Sequence, residues 1–221
     1  MRILVLSDIH DRINKVKKII STESFDIMFI CGDITNFRPL GDVVRYIKLI
    51  RSITEAPTYF VPGNCDPIEL LENSFEDMKF YNVHRRVVEL GKLQIAGIGG
   101  SGITPFATCI EFSEQDFAEM LEDIKTKLEP QKPLLFITHN PPYETTDFLY
   151  SGEPVGSATI RSFIENVKPL AVFSGHVHEG RGVVEVAGST VVINPGPAAH
   201  GFFAVVDIED NKVFAELKSA D

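Results

Sequence analysis

Five times along this chain a short apolar run ends in residues built for polar chemistry. The run from Arg2 ends in Asp8 and His10, that from Phe25 in Gly32-Asp33, and that from Ala56 in Gly63-Asn64. The run from Pro133 ends in His139-Asn140, and that from Pro169 in Gly175-His176 and His178. Apolar runs of this length separated by amphipathic stretches read as strands and helices of βαβ units, hence a parallel sheet, and ligand sites form at the carboxyl ends of such strands. In extended chain, residues i and i+2 share a face, so Asp8 with His10 and His176 with His178 each aim two side chains at one place. The glycines before Asp33, Asn64 and His176 permit tight turns and close backbone approach. Four of the six histidines fall in these motifs, so one site is expected to collect them.

Helices are expected near residues 12–21, 40–53, 113–128 and 157–167, the third stopped by Pro130 and Pro133. Residues 85–90 and 92–100 read as antiparallel neighbours. The tail alternates as a β-meander does, with Asp210-Asn211 as a hairpin turn. Both halves deliver polar strand ends, which predicts an α/β fold of two mixed sheets face to face with helices outside, in one domain over residues 1–221.

Charge narrows the partners. Lys and Arg total 21 against 31 Asp and Glu, a formal net charge of −10. That argues against a polymeric nucleic acid or an anionic membrane as partner, but not against a phosphate substrate, since bound divalent cations reverse the local sign. No apolar stretch is long enough to span a membrane, and the first apolar run is too short for a signal-peptide core. Cys31, Cys65 and Cys109 form no CxxC pair, which fits a reducing cytoplasm.

The ordered series DIH, GD, GNCD, THN and GHVH, spanning residues 8 to 178, resembles the signature of the calcineurin-like metallophosphoesterase superfamily. Small prokaryotic members of that superfamily are αββα sandwiches. The resemblance implies that Asp8, His10 and His178 hold one metal, that Asn64, His139 and His176 hold a second, and that Asp33 bridges them. Carboxylate, imidazole and amide ligands suit Mn²⁺, the favoured ion, as well as Fe or Zn²⁺, with Ni²⁺ or Mg²⁺ left open. Two such ions about 3.5–4 Å apart activate a bridging water and clamp the attacking and leaving oxygens.

One residue departs from the commonest pattern. Many members read GNH before an acid, whereas this chain reads Gly63-Asn64-Cys65-Asp66, similar to a subset that cleaves phosphodiesters. The missing histidine is usually assigned to the leaving group. An unperturbed thiol, pKa about 8.5, shares its proton at neutral pH less readily than an imidazole at about 6.5. Cys65 is therefore either a loop filler or a bias toward good leaving groups. Asp66 either caps a helix from Pro67 or positions the site. Asn64, Cys65, Asp66 and His139 are the candidate catalytic residues.

Weaker signals surround these. Gly97 to Gly102 matches GxGxxG, yet Pro105 and β-branched residues follow instead of a helix, so a glycine-rich loop beside the centre is expected, with Thr104 and Phe106 toward substrate. Tyr143 is a base-stacking candidate or a loop anchor. Arg38 and Arg181 are substrate-oxygen or surface arginines. Lys15, Lys17 and Lys18 form a solvated helix face. His84 and His200 lie outside the motifs, with His200 a candidate pocket residue. The resulting expectation is a dinuclear metal-dependent phosphoesterase of a small phosphodiester, attacked by a metal-bridging hydroxide. A phosphomonoesterase or nucleotide hydrolase is the alternative, and a catalytically silent interaction scaffold of the same fold the rival. The chain is expected to be a monomer or a homodimer.

Overall fold

The computed structural model describes residues 1–186 and 188–220. In chain order the first half runs β1 (Arg2–Leu6), α1 (Ile13–Thr22), β2 (Ile27–Ile30), α2 (Leu40–Arg51), β3 (Thr58–Phe60), β4 (Phe80–Asn82), β5 (Val87–Leu90), β6 (Leu93–Ile98), β7 (Ser101–Gly102) and β8 (Glu111–Phe112). The second runs α3 (Glu114–Lys127), β9 (Leu134–Thr138), α4 (Ala158–Val167), β10 (Ala171–Phe173), β11 (Gly182–Val186), β12 (Thr190–Asn194), β13 (Phe202–Glu209) and β14 (Lys212–Ser219).

Two mixed six-stranded sheets result, ordered β14-β13-β1-β2-β3-β4 and β11-β12-β10-β9-β6-β5. Strand alternation sorts the side chains into layers. In β1, Leu4 and Leu6 face α1 and α2 together with Met28 and Ile30 of β2, while Ile3 and Val5 face the opposite sheet with Ile27 and Phe29. In β9, Leu135 and Ile137 look toward the first sheet, and Leu134 and Phe136 toward α3 and α4. The central strands are buried on both faces, as sheets covered on each side require. Phe29 meets Phe173 edge to face at 5.0 Å across the inter-sheet layer. The architecture is the expected αββα sandwich.

The expected antiparallel pair is β5 with β6, and the tail hairpin is β13 with β14. Asp210 and Asn211 both take positive φ, 47° and 60°, the two-residue turn that matches strand twist. The strands are shorter than the apolar runs: β2 stops at Ile30, β3 at Phe60 and β10 at Phe173. The last residues of each run leave the ladder and turn into the site.

Candidate metal centre

The polar ends of β1, β2, β3, β9 and β10 meet at one edge of the sandwich. Amides of Ile9 and His10 donate to the Asp33 carbonyl, at 2.8 and 3.0 Å, and the Gly175 amide donates to the His139 carbonyl at 3.1 Å. The pairs do not converge by extended alternation, as the i, i+2 spacing suggested. Asp8, His10, Asp33 and His176 instead take left-handed backbone, with φ of 54°, 44°, 52° and 64°, and His178 opens a short 3₁₀ turn. Outside glycine that conformation is uncommon, and it gathers where surrounding structure over-determines it. Two glycines are fixed by crowding: a Cβ at Gly63 would strike the Asp33 carboxylate, and one at Gly175 would strike the Ser7 hydroxyl beneath Asp8.

Ligand atoms of Asp8, His10 and His178 lie within 4.8 Å of one another, as do those of Asp8, Asp33 and His139. Oδ1 of Asp8 is 3.4 Å from Nε2 of His178 and 3.9 Å from Nε2 of His10. Oδ2 of Asp33 is 3.6 Å from Nε2 of both His10 and His139, so it stands between the two groups. His139 Nε2 is 2.8 Å from Asn64 Oδ1, and the His176 ring lies 5.1 Å from that of His139. All seven expected ligand residues are thus gathered, with Asp33 at the junction.

Several features call for cations here. Asp8, Asp33 and Asp66 are buried together, and among the described residues no lysine or arginine pairs with any of them. Burial, with Asp8 and Asp66 beside it, pushes the Asp33 carboxyl well above the ordinary carboxylate range. Burial also acts upward on Asp8, but the hydrogen bond and charge of the His178 imidazole, with the Ser7 hydroxyl, act against it and hold that carboxyl low. Among the described residues, Oδ1 of Asp8 and Nδ1 of His10 are buried without a hydrogen-bond partner.

The His139 tautomer follows from its surroundings. Nδ1 lies 2.7 Å from the Cys31 carbonyl, which only accepts, so Nδ1 carries the proton. Burial lowers the His139 pKa and keeps the ring neutral. Its Nε2 therefore offers a lone pair, as does the Asn64 oxygen facing it. Two acceptors at contact distance beside carboxylates fit divalent metal chemistry, and the Cys31 carbonyl orients the imidazole. His176 is held neutral chiefly by burial, its pKa lowered to about 3.

Cys65 is buried, and its sulfur joins ligand atoms of His10 and Asp33 within 4.8 Å. Burial and the carboxylate of Asp33 push its thiol far up, so it stays protonated at neutral pH. Asp66 does not cap a helix: the 3₁₀ turn Ile68–Leu71 has no side-chain cap. Its oxygens accept from the amides of Ile34 (3.1 Å), Thr35 (2.8 Å) and Gly63 (2.9 Å) and from the Thr35 hydroxyl (2.9 Å). With its oxygens so engaged, Asp66 is a positioning residue that ties the Asp33 loop to the Asn64 loop.

Arg181 is not free for substrate. It donates to the carbonyls of Pro195 (3.1 Å) and Lys218 (3.1 Å) and lies over the Phe202 ring. Arg38 is exposed and paired with Asp11 at 3.1 Å. His84 is a buried neutral base whose Nδ1 accepts from the Gly99 amide at 2.9 Å. The glycine-rich loop does lie beside the centre: the Gly102 amide donates to Asn140 Oδ1 at 3.0 Å, and the amides of Cys109 and Ile110 donate to the Asn64 carbonyl. Thr104 is bonded to Glu111, and Phe106 projects outward, 82% exposed. Tyr143 is partly exposed on the loop after Asn140. His200 sits 6.4 Å from the His178 ring and lines a cavity of about 420 Å³ with Asp11, Arg12 and Lys15. Sequence reasoning missed the Cys31 carbonyl, because a backbone acceptor leaves no residue-type signal. It also missed the tie from Asn140, although that residue stands in the THN motif.

A family model described as calcineurin-like phosphoesterase matches residues 1–180. An uncharacterized protein of Methanocaldococcus jannaschii is 31% identical over 224 residues, covering 96% of this chain and 94% of the relative. A UPF0046 protein of Caenorhabditis elegans is 24% identical over 239 residues, 94% of this chain and 79% of the relative. A Thermus thermophilus crystal structure superposes with a TM-score of 0.78 at 20% identity, over 100% of this chain and 99% of that one. A dimetal phosphatase from Danio rerio has a TM-score of 0.64 at 11% identity, over 100% and 96%. At these identities the structural likeness speaks for the fold.

Proposed function

The chain belongs to the calcineurin-like phosphoesterase family and is a metal-dependent phosphoesterase, and from that premise we propose that it hydrolyses a small phosphodiester at a dinuclear centre. Asp8, His10 and His178 would hold one ion and Asn64, His139 and His176 the other, with Asp33 standing between the two groups. When bound, divalent ions supply a water of lowered pKa and neutralise the charge that develops on the phosphoryl oxygens. The residues of this chain do the rest. The Cys31 carbonyl fixes His139 with its Nε2 lone pair inward, Asp66 locks the two loops that carry Asp33 and Asn64, and the left-handed turns at Asp8 and His10 aim both side chains at one point. Mn²⁺ is the favoured ion, since the gathered donors are carboxylate, amide and imidazole. The 221 residues act as one such domain, in the cytoplasm, where the three free cysteines stay reduced.

The observation that carries this reading is the Asp33 carboxylate, Oδ2 of which lies 3.6 Å from histidines of both groups. Diester preference is supported by the protonated thiol of Cys65, a poor proton donor suited to leaving groups that depart as stable anions. Stripping the protein with EDTA should abolish turnover of bis(p-nitrophenyl) phosphate, and adding Mn²⁺ should restore it above the rate on p-nitrophenyl phosphate. Asp33→Ala should bind neither ion by elemental analysis. Turnover that survives both treatments would overturn the dinuclear reading, and a faster monoester rate the diester preference.

A further inference from the structure

Large apolar side chains that stand exposed gather on the loops around the candidate centre. Phe37 (56% exposed) and Ile68 (60%) follow the Asp33 and Asn64 motifs; Ile103 (76%) and Phe106 (82%) lie between β7 and β8, beyond β6; Phe148 (41%) and Tyr150 (93%) lie on the loop after β9. Strands β6 and β9 are neighbours, and the Gly102–Asn140 hydrogen bond joins their loops. The Phe37 amide donates to the Cys65 carbonyl at 3.0 Å, which sets that residue at the Cys65 flank of the site.

These side chains are not exposed through slack loops. Oε1 of Glu111 accepts from the Thr104 hydroxyl (2.6 Å), the Thr108 amide (2.8 Å) and the Thr108 hydroxyl (2.7 Å), which braces the loop bearing Ile103 and Phe106. The buried carboxylate of Asp147 accepts from the amides of Glu144 (3.1 Å), Thr145 (2.8 Å) and Gly156 (2.8 Å), which braces the loop bearing Phe148 and Tyr150. A braced loop that holds phenylalanine and isoleucine in water forgoes the burial those side chains favour, and such a patch marks a binding surface.

Resting on the phosphoesterase reading above, we propose that this rim receives an apolar ester group of the substrate, so that the enzyme acts on amphiphilic phosphoesters. The occupant follows from the position. A phosphoryl group seated among Asp8, Asp33, Asn64 and His139 must project its ester groups outward across these loops. The net charge of −10 works against an anionic membrane as the occupant.

The test is calorimetric titration of the Mn²⁺-loaded protein with methyl phosphate and with octyl phosphate below its micellar concentration, both standing in for reaction product. A fully buried methylene tightens binding about fourfold, so seven further carbons, even partly covered, should favour octyl phosphate by at least about tenfold. In the double variant F37S/F106S that ratio should fall to within about threefold of unity. Phe214→Ser, equally exposed at 56% but on β14, should keep it. A wild-type ratio near unity overturns the proposal, as does an equal loss in Phe214→Ser. So does a rim whose only effect is to turn a dimer into a monomer in sedimentation, which would assign the surface to a second copy. The titration needs no turnover, so failure of the p-nitrophenyl assay falls on the phosphoesterase reading alone.

Discussion

Nε2 of His139 faces Oδ1 of Asn64 across 2.8 Å, and neither atom has a proton to give the other. Substituting the imidazole removes one electron-pair donor and also one of the two donors to the Cys31 carbonyl, which keeps the Ser7 hydroxyl at 3.2 Å. His139→Ala should therefore lower metal-free stability by about 0.5–1.5 kcal/mol, the net worth of one hydrogen bond, and lower kcat by about 10² or more. His176→Ala should lose activity similarly with a smaller stability change. Circular dichroism, urea unfolding in EDTA and Mn²⁺-dependent turnover separate these outcomes. Unfolding of either metal-free variant would mark that histidine as core.

Asp66 gives a different signature. Both of its oxygens accept from donors, so even the isosteric Asp66→Asn turns an NH₂ group toward an N–H or O–H. Asp66→Asn should destabilise the metal-free protein by about 2–4 kcal/mol, much as Asp66→Ala does, and should weaken Mn²⁺ binding. Metal-saturated kcat should fall less than in His139→Ala. A stable Asp66→Asn variant with normal metal affinity would remove this carboxylate as the link between loops.

Cys65 should resist alkylation by iodoacetamide at pH 8 in the folded metal-free protein, while exposed Cys109 reacts. The sign follows from burial and from Asp33, both of which disfavour the thiolate. Cys65→His should raise kcat/KM for esters with alkoxide leaving groups, including 2′,3′-cyclic nucleotides, relative to p-nitrophenyl esters. General acid assistance reaches about 10²–10⁴, and imperfect placement of the ring reduces it. Equal ratios in Cys65→His and Cys65→Ala would make the side chain a filler of space.

His84 predicts a pH dependence of stability away from the metal ligands. Burial, aided by Arg85 and Arg86, favours its neutral form and lowers its pKa from 6.5 to about 4. The unfolded chain then binds the extra proton first as the solution acidifies. The stability His84 contributes is complete above pH 6.5 and lost as pH falls toward 4, up to about 3 kcal/mol. The gap in unfolding free energy between wild type and His84→Gln, measured in urea with EDTA, should narrow over that window. A gap independent of pH would show that His84 does not titrate there.

The sequence disclosed the layers and the residues gathered at the candidate centre because both are written in side-chain type. Leu4 and Ile3 alternate in polarity of facing, not of character, so a strand buried on both faces still reads as one apolar run. The motif residues stood out for the opposite reason, as polar groups with no place in a core. What stayed hidden depends on backbone atoms and distant partners. The left-handed turns at Asp8 and His10 mimic an i, i+2 pair in the sequence, and only the dihedrals distinguish the two. Arg181 looked available because its acceptors are carbonyls of Pro195 and Lys218, which no residue pattern announces. The apolar loops were the least legible, since a phenylalanine such as Phe106 reads alike whether it fills a core or faces water.

Strand β1, which carries Asp8 and His10, lies between β2 and β13, and Val5 is matched with Ala204. The amides of Ala198 and Ala199 also donate to the carbonyls of Ser7 and Asp8, from the far end of the chain. The loop after β1 can lean on Gly32 and Asp33 early, but it lacks its bracing from Ala198 and Ala199 and its neighbour β13 until nearly the whole chain has been made. Such long-range pairing is slow to form and leaves edges open while it waits. The candidate centre is therefore expected to close only when β13 pairs with β1.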